Sequence, residues 1–429
     1  MTFSGRSDER NGRTLWFFSD FMKVLKNTSQ RFRVMIVRNS LRNFVDALNP
    51  YNSIYINSLG ASEIQIGILT AISSGLGAFF AMATGWIADR RDKKTIFLIG
   101  ALLGLFVPLV YLVADIWVWL ICAFAFEGVR IGVILPAWSA MYANSIENNV
   151  RGTVYGIANT LMILPTIFAP LIGGVVVTYF GGLTVDGIRP LYVMQFVTLL
   201  LTWVCVFKFL KREHSDLNPN NKLVFSMFLK DYKTILKIKG AKTWLTMKML
   251  GAVSVGLAGP FWILYAANVL QASSLTIAFM VTGRLLTHLI FSPFIGRLVD
   301  QFSRKKLIVS ARFIMFGAVV IFLLSSGDPT VMIGSWAIWG ISNACFVAWD
   351  IQMVEMVPNS FRARWVAMDH SAFHLLSIPA AILGGYLWET LGPISPFLLM
   401  IIIDGGLRMP MIYFGIPETI RKPQDTPIE

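Results

Sequence analysis

Charge is scarce in this 429-residue chain: charged residues make up 14% of it, against 55% hydrophobic residues. So few charges cannot cover a water-soluble protein of this length, which leaves lipid as the remaining solvent and excludes a soluble enzyme or binding module. Cysteine is nearly absent. The three present, Cys122, Cys205 and Cys345, all lie inside apolar stretches and read as small core residues, which excludes a disulfide framework or a cysteine metal cluster. No glycine-rich phosphate loop supplies ATP energy and no nucleophile–base set appears, so the chain reads as neither an ATP-driven pump nor an enzyme, with no cofactor. His370 and His374 are four apart beside Asp369, but a third ligand is missing and no metal site is expected.

What is abundant is long apolar runs. A helical span needs about 20 mostly apolar residues to cross roughly 30 Å of hydrocarbon. Such stretches recur near 33–57, 64–84, 95–113, 116–143, 153–179, 190–210, 243–269, 274–295, 306–325, 330–354, 365–388 and 394–415. They predict an all-α membrane protein of twelve transmembrane helices in two six-helix bundles, 33–210 and 243–415. These are flanked by cytoplasmic segments at 1–32 and 416–429 and joined by a basic linker at 211–242. Within that linker, Lys222 to Lys239 alternates apolar and lysine positions like a surface-lying amphipathic helix.

Orientation follows from the basic residues, because positive loops stay in the cytoplasm. With the N-terminus inside, the six external connections carry one basic residue, Arg189, against Glu63, Asp115, Asp186, Asp328 and Glu389. The internal side holds 29 of the 37 basic residues, counting Arg33, Lys208 and Lys306 at span ends, and seven lie within spans. Both termini are therefore expected in the cytoplasm of a multi-pass cell-membrane protein. The net charge of +13 is a membrane feature, and no nucleic-acid partner is expected.

The chain also repeats itself. Gly85-Trp-Ile-Ala-Asp89-Arg90-Arg91-Asp92-Lys93-Lys94 follows span 2, and Gly296-Arg-Leu-Val-Asp300-Gln-Phe-Ser-Arg304-Lys305 follows span 8, 211 residues later. The same shift lays Leu59-Gly-Ala-Ser62 on Leu270-Gln-Ala-Ser273, Arg151 on Arg362, and Gly173-Gly174 on Gly384-Gly385. Internal repeats of this kind underlie alternating access in many transporters.

These two loops resemble the signature loop of the major facilitator superfamily, a glycine, an aspartate four residues on, then a basic cluster. Asp92 and Ser303 depart from it, standing where the family has a second glycine. The resemblance implies a twelve-span fold and a conformational latch formed by Gly85, Asp89, Arg90 and Lys93 in one copy and Gly296, Asp300 and Arg304 in the other. A carboxylate is stabilised at a helix N-terminus, so Asp89 is expected to face span 11 near Arg362 to Trp365, and Asp300 to face span 5 near Arg151. Gly156, Pro165, Ala169-Pro170 and Gly173-Gly174 on span 5 resemble the exporter-associated motif, with Pro165 and Ala169 where glycines are usual. Small residues and prolines let helices approach closely and bend. On span 4 the family's arginine position is Phe124, and Glu127-Gly128 with Arg130 takes its place.

Ionisable residues inside spans are functional candidates by default. Arg38, Arg42 and Asp46 recur at intervals of four before Pro50, so they share one stripe of span 1. That pattern also resembles the first span of proton-coupled drug antiporters. These three, with Glu127 and Arg130 on span 4 and Asp350 on span 10, form the expected substrate and proton site. Asp404 and Arg408, four apart on span 12, are expected to pair. Lys248 and Arg312 read as snorkelling cations, and Arg284 with His288 on span 8 as packing or lipid contact. Trp262, Tyr265 and Trp349 are candidate cavity aromatics. The expected function is a monomeric, proton-coupled exporter of a small organic solute. An anionic or zwitterionic solute or lipid headgroup held by the span 1 arginines is the alternative, and a non-transporting receptor on the same fold is an alternative of another class.

Overall fold

The structure, a computed structural model, describes residues 30–88, 92–143, 151–210, 234–357 and 362–417. Helix is the only regular element among the described residues. Eleven helical segments are long and apolar enough to cross a membrane. The one that falls short is the first, whose Arg31, Arg33, Arg38, Arg42 and Asp46 lower its hydropathy. It runs Gln30–Leu48, breaks at Asn49-Pro50, and resumes as Asn52–Ser58 rather than as one helix over 33–57. Pro50 cannot donate a backbone hydrogen bond, and Asn49 Oδ1 instead accepts from the Tyr51 backbone N–H at 3.1 Å.

The other spans are Glu63–Ala88, Lys93–Val113, Leu120–Ala143, Arg151–Tyr179, Val185–Phe209, Ala241–Ala258 continuing through Val269, Ser274–Gln301, Arg304–Leu323, Pro329–Ala344 with Phe346–Glu355, Arg362–Leu391, and Ser395–Ile403 continuing through Gly415. Spans 7 and 12 each contain π-helical turns, Tyr265–Val269, Asp404–Arg408 and Met411–Gly415. Span 6 starts five residues earlier than the apolar run predicts, because Thr184 caps it by accepting from Gly187 N–H at 3.1 Å. Arg189 is therefore helical, and it ties the Ala114 carbonyl at 2.8 Å to Asp115 at 3.0 Å.

Two sequence expectations about the signature loops change. Gly85 lies within span 2, and Gly296 and Asp300 within span 8, so both motifs begin on helix rather than loop. The residues that replace the second glycine have a structural reason. Asp92 caps span 3 by accepting from Lys94 N–H at 3.2 Å, and Ser303 caps span 9 by accepting from Lys306 N–H at 3.4 Å. Their positions are equivalent under the 211-residue shift.

Each half packs its own six spans, and the halves meet along two seams, span 2 against span 11 and span 5 against span 8. The glycine pairs shape both seams. Gly173 lies against the Leu48 carbonyl and Gly384 against the Leu257 carbonyl, each within its own half. Their neighbours face across. A side chain at Gly174 would meet Ala278 Cβ at 2.6 Å, and one at Gly385 would meet Ile64 Cα at 2.7 Å. Pro170 is buried beside them.

The seams carry hydrogen bonds at the end of the molecule that the charge rule places outside. Thr178 Oγ1 and Ser274 Oγ are 2.7 Å apart, Tyr51 Oη donates to the Ser274 carbonyl at 2.8 Å, and Glu389 Oε1 accepts from Ile64 N–H at 2.8 Å. Asn268 Nδ2 donates to Asn57 Oδ1 at 3.1 Å, a bond between two positions 211 residues apart. Large apolar side chains such as Phe79, Val113, Phe168, Phe313 and Phe414 are exposed on the helices, which suits a lipid surroundings. Cys122 is exposed as well and not the core residue its apolar surroundings suggest, whereas Cys345 is buried.

Candidate functional site

In the N-terminal half the structure brings span 1 and span 4 together through charge. Arg42 Nη2 lies 2.7 Å from Asp46 Oδ1, one turn on, and 3.6 Å from Glu127 Oε1. Arg130 Nε donates to Glu127 Oε2 at 2.6 Å, and its second nitrogen also pairs with that carboxylate. Four of the six charges expected at the site therefore form one network of two cations and two anions. Gly104 on span 3 makes room for it, since a side chain there would collide with Arg130 Cδ. The network is open on one side: the Asp46 side chain is 53% exposed and Glu127 27%, whereas Arg42 is 16% and Arg130 9%.

Arg38 stands apart from that network. It is buried, with its guanidinium 4.4 Å from the Trp138 ring centroid and 5.0 Å from that of Phe97, and Nη1 donates to Asn39 at 2.7 Å. Its stripe position is as the sequence implies, but it packs behind aromatics of spans 3 and 4 and makes no ion pair among the described residues.

The C-terminal half arranges its charges differently. Asp404 is fully buried between Arg408 Nη1 at 2.9 Å and Arg312 Nε at 2.6 Å. Arg408 also lies 4.6 Å from the Trp349 centroid and presses on Gly251, where a side chain would meet its Nη1 at 2.9 Å. Lys248 Nζ pairs with Asp369 Oδ2 at 2.9 Å, and Trp244 Nε1 donates to Asp369 Oδ1 at 2.8 Å. Arg312 and Lys248 are thus ion-paired inside the bundle instead of snorkelling. The sequence hid this because each partner lies on another span, about 90 to 120 residues away. Asp350 is exposed on span 10.

The three candidate cavity aromatics are packed among other side chains. Trp262 and Tyr265 belong to a packed cluster, with Trp262 centroids 4.5 Å from Phe397 and 4.7 Å from Trp339, and Tyr265 5.3 Å from Phe397. Trp349 is buried under Arg408.

Among the latch residues, Arg304 is buried and pairs with Glu355 of its own half. Lys93 begins span 3. Asp89 and Arg90 lie outside the described residues, as do the side chains of Arg151, Asp300 and Arg362 and the surroundings of Gly85 and Gly156.

A profile of the Major Facilitator Superfamily matches residues 36–248 and again 244–425, one match for each half. The chain belongs to that superfamily. It is 25% identical over 276 residues to the multidrug resistance protein MdtG of Enterobacter lignolyticus (strain SCF1), a match covering 61% of this chain and 62% of that protein. The chain thus spans about three fifths of the length of this relative. It is 21% identical over 353 residues to the multi-drug resistance efflux pump PmrA of Streptococcus pneumoniae, covering 78% and 83%. Among solved structures, the nucleoside transporter NupG superposes with a TM-score of 0.71 at 12% identity, covering 90% of this chain and 98% of that one, and a D-xylose-proton symporter with 0.67 at 12%, covering 91% and 98%. These likenesses establish the twelve-helix, two-bundle fold.

Proposed function

We propose that this chain is a secondary transporter of the cell membrane that exports a small organic solute by alternating access, driven by protons. The observation that carries the reading is the Arg42–Asp46–Glu127–Arg130 network, held inside the bundle with one carboxylate open to the surroundings. A proton on Asp46 removes one of two anions, and Arg42, already 3.6 Å from Glu127, gains a reason to turn to it. Protonation and rearrangement are thereby coupled through a side chain shared by two acids. The kinship with efflux proteins supports the export direction.

The seams sealed at the end assigned to the outside support an inward-facing state, with both termini in the cytoplasm. In the opposite state the inner ends close through Asp89 against span 11 near Arg362, and through Asp300 against span 5 near Arg151. The glycine pairs permit the rocking by keeping backbones close. The span 1 arginines do not favour an anionic solute, because Arg42 is neutralised and Arg38 is enclosed by Phe97 and Trp138.

Proteoliposomes test the coupling. Asp46→Asn is expected to abolish gradient-driven accumulation of any solute the wild type accumulates, while downhill exchange of that solute persists. Wild-type pH dependence in Asp46→Asn rejects the proposal.

A further inference from the structure

One cation within the spans has no counter-charge and no hydrogen-bond acceptor among the described residues. Arg284 on span 8 lies with its guanidinium 5.0 Å from the Trp336 centroid and 5.2 Å from that of Trp339, both on span 10. Its Nε is buried without an acceptor, and so is the neighbouring Trp336 Nε1. Both atoms are donors only. One turn further along span 8, His288 Nδ1 is also buried without a partner. Two unpartnered donors, Arg284 Nε and Trp336 Nε1, thus lie where spans 8 and 10 meet, beside a single positive charge.

The cost of that arrangement identifies what it awaits. Ring faces compensate a guanidinium only partly. Each buried donor left unpaired is a further cost. A water molecule would satisfy the donors but leave the charge unopposed, whereas an oxyanion answers both. Arg284 is the eleventh residue of a helix starting at Ser274, which puts it on the order of 15 Å from that end. That depth is near the middle of the bilayer and too deep for a lipid headgroup. Trp339, which touches Arg284 on one side and Trp262 on the other, offers an aromatic wall to the ligand's body.

We infer that Arg284 and Trp336 form an oxyanion subsite for the carboxylate, or similarly compact anionic group, of an otherwise apolar solute entering the C-terminal bundle. The anion accepts from Arg284 Nε and Trp336 Nε1, and the indoles of Trp336 and Trp339 pack on its carbon skeleton. The subsite rests on the transport reading only in that the solute is cargo; its chemistry is independent of proton coupling at Asp46.

Equilibrium binding of radiolabelled 1-naphthoate and of its neutral isostere 1-naphthamide to the purified full-length protein tests this without any gradient. The wild type is expected to bind naphthoate at least tenfold more tightly than naphthamide. Arg284→Gln removes that preference. Trp336→Phe, which keeps a ring and deletes the N–H, weakens naphthoate several-fold and leaves naphthamide unchanged; Arg284→Lys, which keeps the charge without Nε, falls between. Equal affinity of the wild type for the two ligands overturns the subsite, as does an Arg284→Gln protein that still prefers naphthoate. Should Arg284→Gln fail to fold, Trp336→Phe decides, since unchanged naphthoate affinity there also overturns it. Loss of the preference leaves the Asp46 reading standing, and loss of proton coupling leaves the subsite standing.

Discussion

The two halves descend from one repeated pattern, yet they handle charge inside the membrane in opposite ways. The N-terminal half pools Arg42, Asp46, Glu127 and Arg130 into one network that opens at Asp46. The C-terminal half locks Asp404 between two arginines and Asp369 between Lys248 and Trp244, and leaves Arg284 alone against two indoles. Breaking a closed, buried pair is costly, so it holds helices together, whereas a solvent-exposed pair contributes little and can rearrange cheaply. The difference separates scaffold charges from working charges within one fold.

The largest test of that division is stability. Arg312→Ala leaves a fully buried Asp404 with half its compensation, and removing one partner of a buried pair costs about 3–5 kcal/mol. Asp46→Asn removes a carboxylate that is 53% exposed, where ion pairs contribute about 0–1 kcal/mol. Thermal unfolding in detergent is expected to show a fall in Tm for Arg312→Ala many times that for Asp46→Asn. Equal falls would erase the distinction between the halves.

A second test sets the seams against each other. Gly385→Val places a branched side chain where Ile64 Cα already lies 2.7 Å from the added Cβ, so backbone must move. At Gly174 only one atom lies under 3 Å, the Ala278 Cβ at 2.6 Å, with the Tyr51 hydroxyl at 3.2 Å and the Ser274 carbonyl at 3.4 Å, whereas three backbone atoms crowd the added Cβ at Gly385. With the three native cysteines replaced by serine, a cysteine at the buried Ser274 reports opening through its rate of alkylation by a water-soluble maleimide. The Gly385→Val background is expected to raise that rate about tenfold or more, and Gly174→Val by less. A greater effect from Gly174→Val would reverse the ranking of the seams.

The fold was legible in the sequence because lipid imposes a blunt rule, long apolar runs with basic loops on one side, and because the repeat marks its own period. The stripe of Arg42 and Asp46, and the approach of Glu127 and Arg130 at three apart, follow from helical spacing alone. Pairing between spans does not. Nothing in local spacing joins Arg312 to Asp404, or Lys248 to Asp369, so these cations read as snorkelling. Trp262 and Trp349 show the same limit, since an indole's periodicity does not distinguish cavity from core. Asp92 and Ser303 carry a capping signal that is legible without the structure. Each precedes a long apolar run, and aspartate and serine are favoured helix caps, so departures from a glycine pattern were cap choices made at the same place in both halves.

Asn57 and Asn268 supply the smallest test, at the place where the halves should not differ. Their side chains bond to each other across the molecule's pseudo-twofold, 211 residues apart, at an exposed position. Asn57 Nδ2 also donates to the Ala61 carbonyl at 2.9 Å, so Asn57→Ala removes two neutral contacts and Asn268→Ala one, each with a net contribution on the order of 0.5–1.5 kcal/mol when buried and less when wet. Asn268→Ala is therefore expected to raise alkylation of a cysteine at Ser274 by a small factor, below about fivefold, Asn57→Ala by as much or more, and the double variant by no more than Asn57→Ala. A double variant that exceeds Asn57→Ala would mean that Asn268 serves a partner besides its repeat mate, and the symmetry of this seal would then be confined to the backbone.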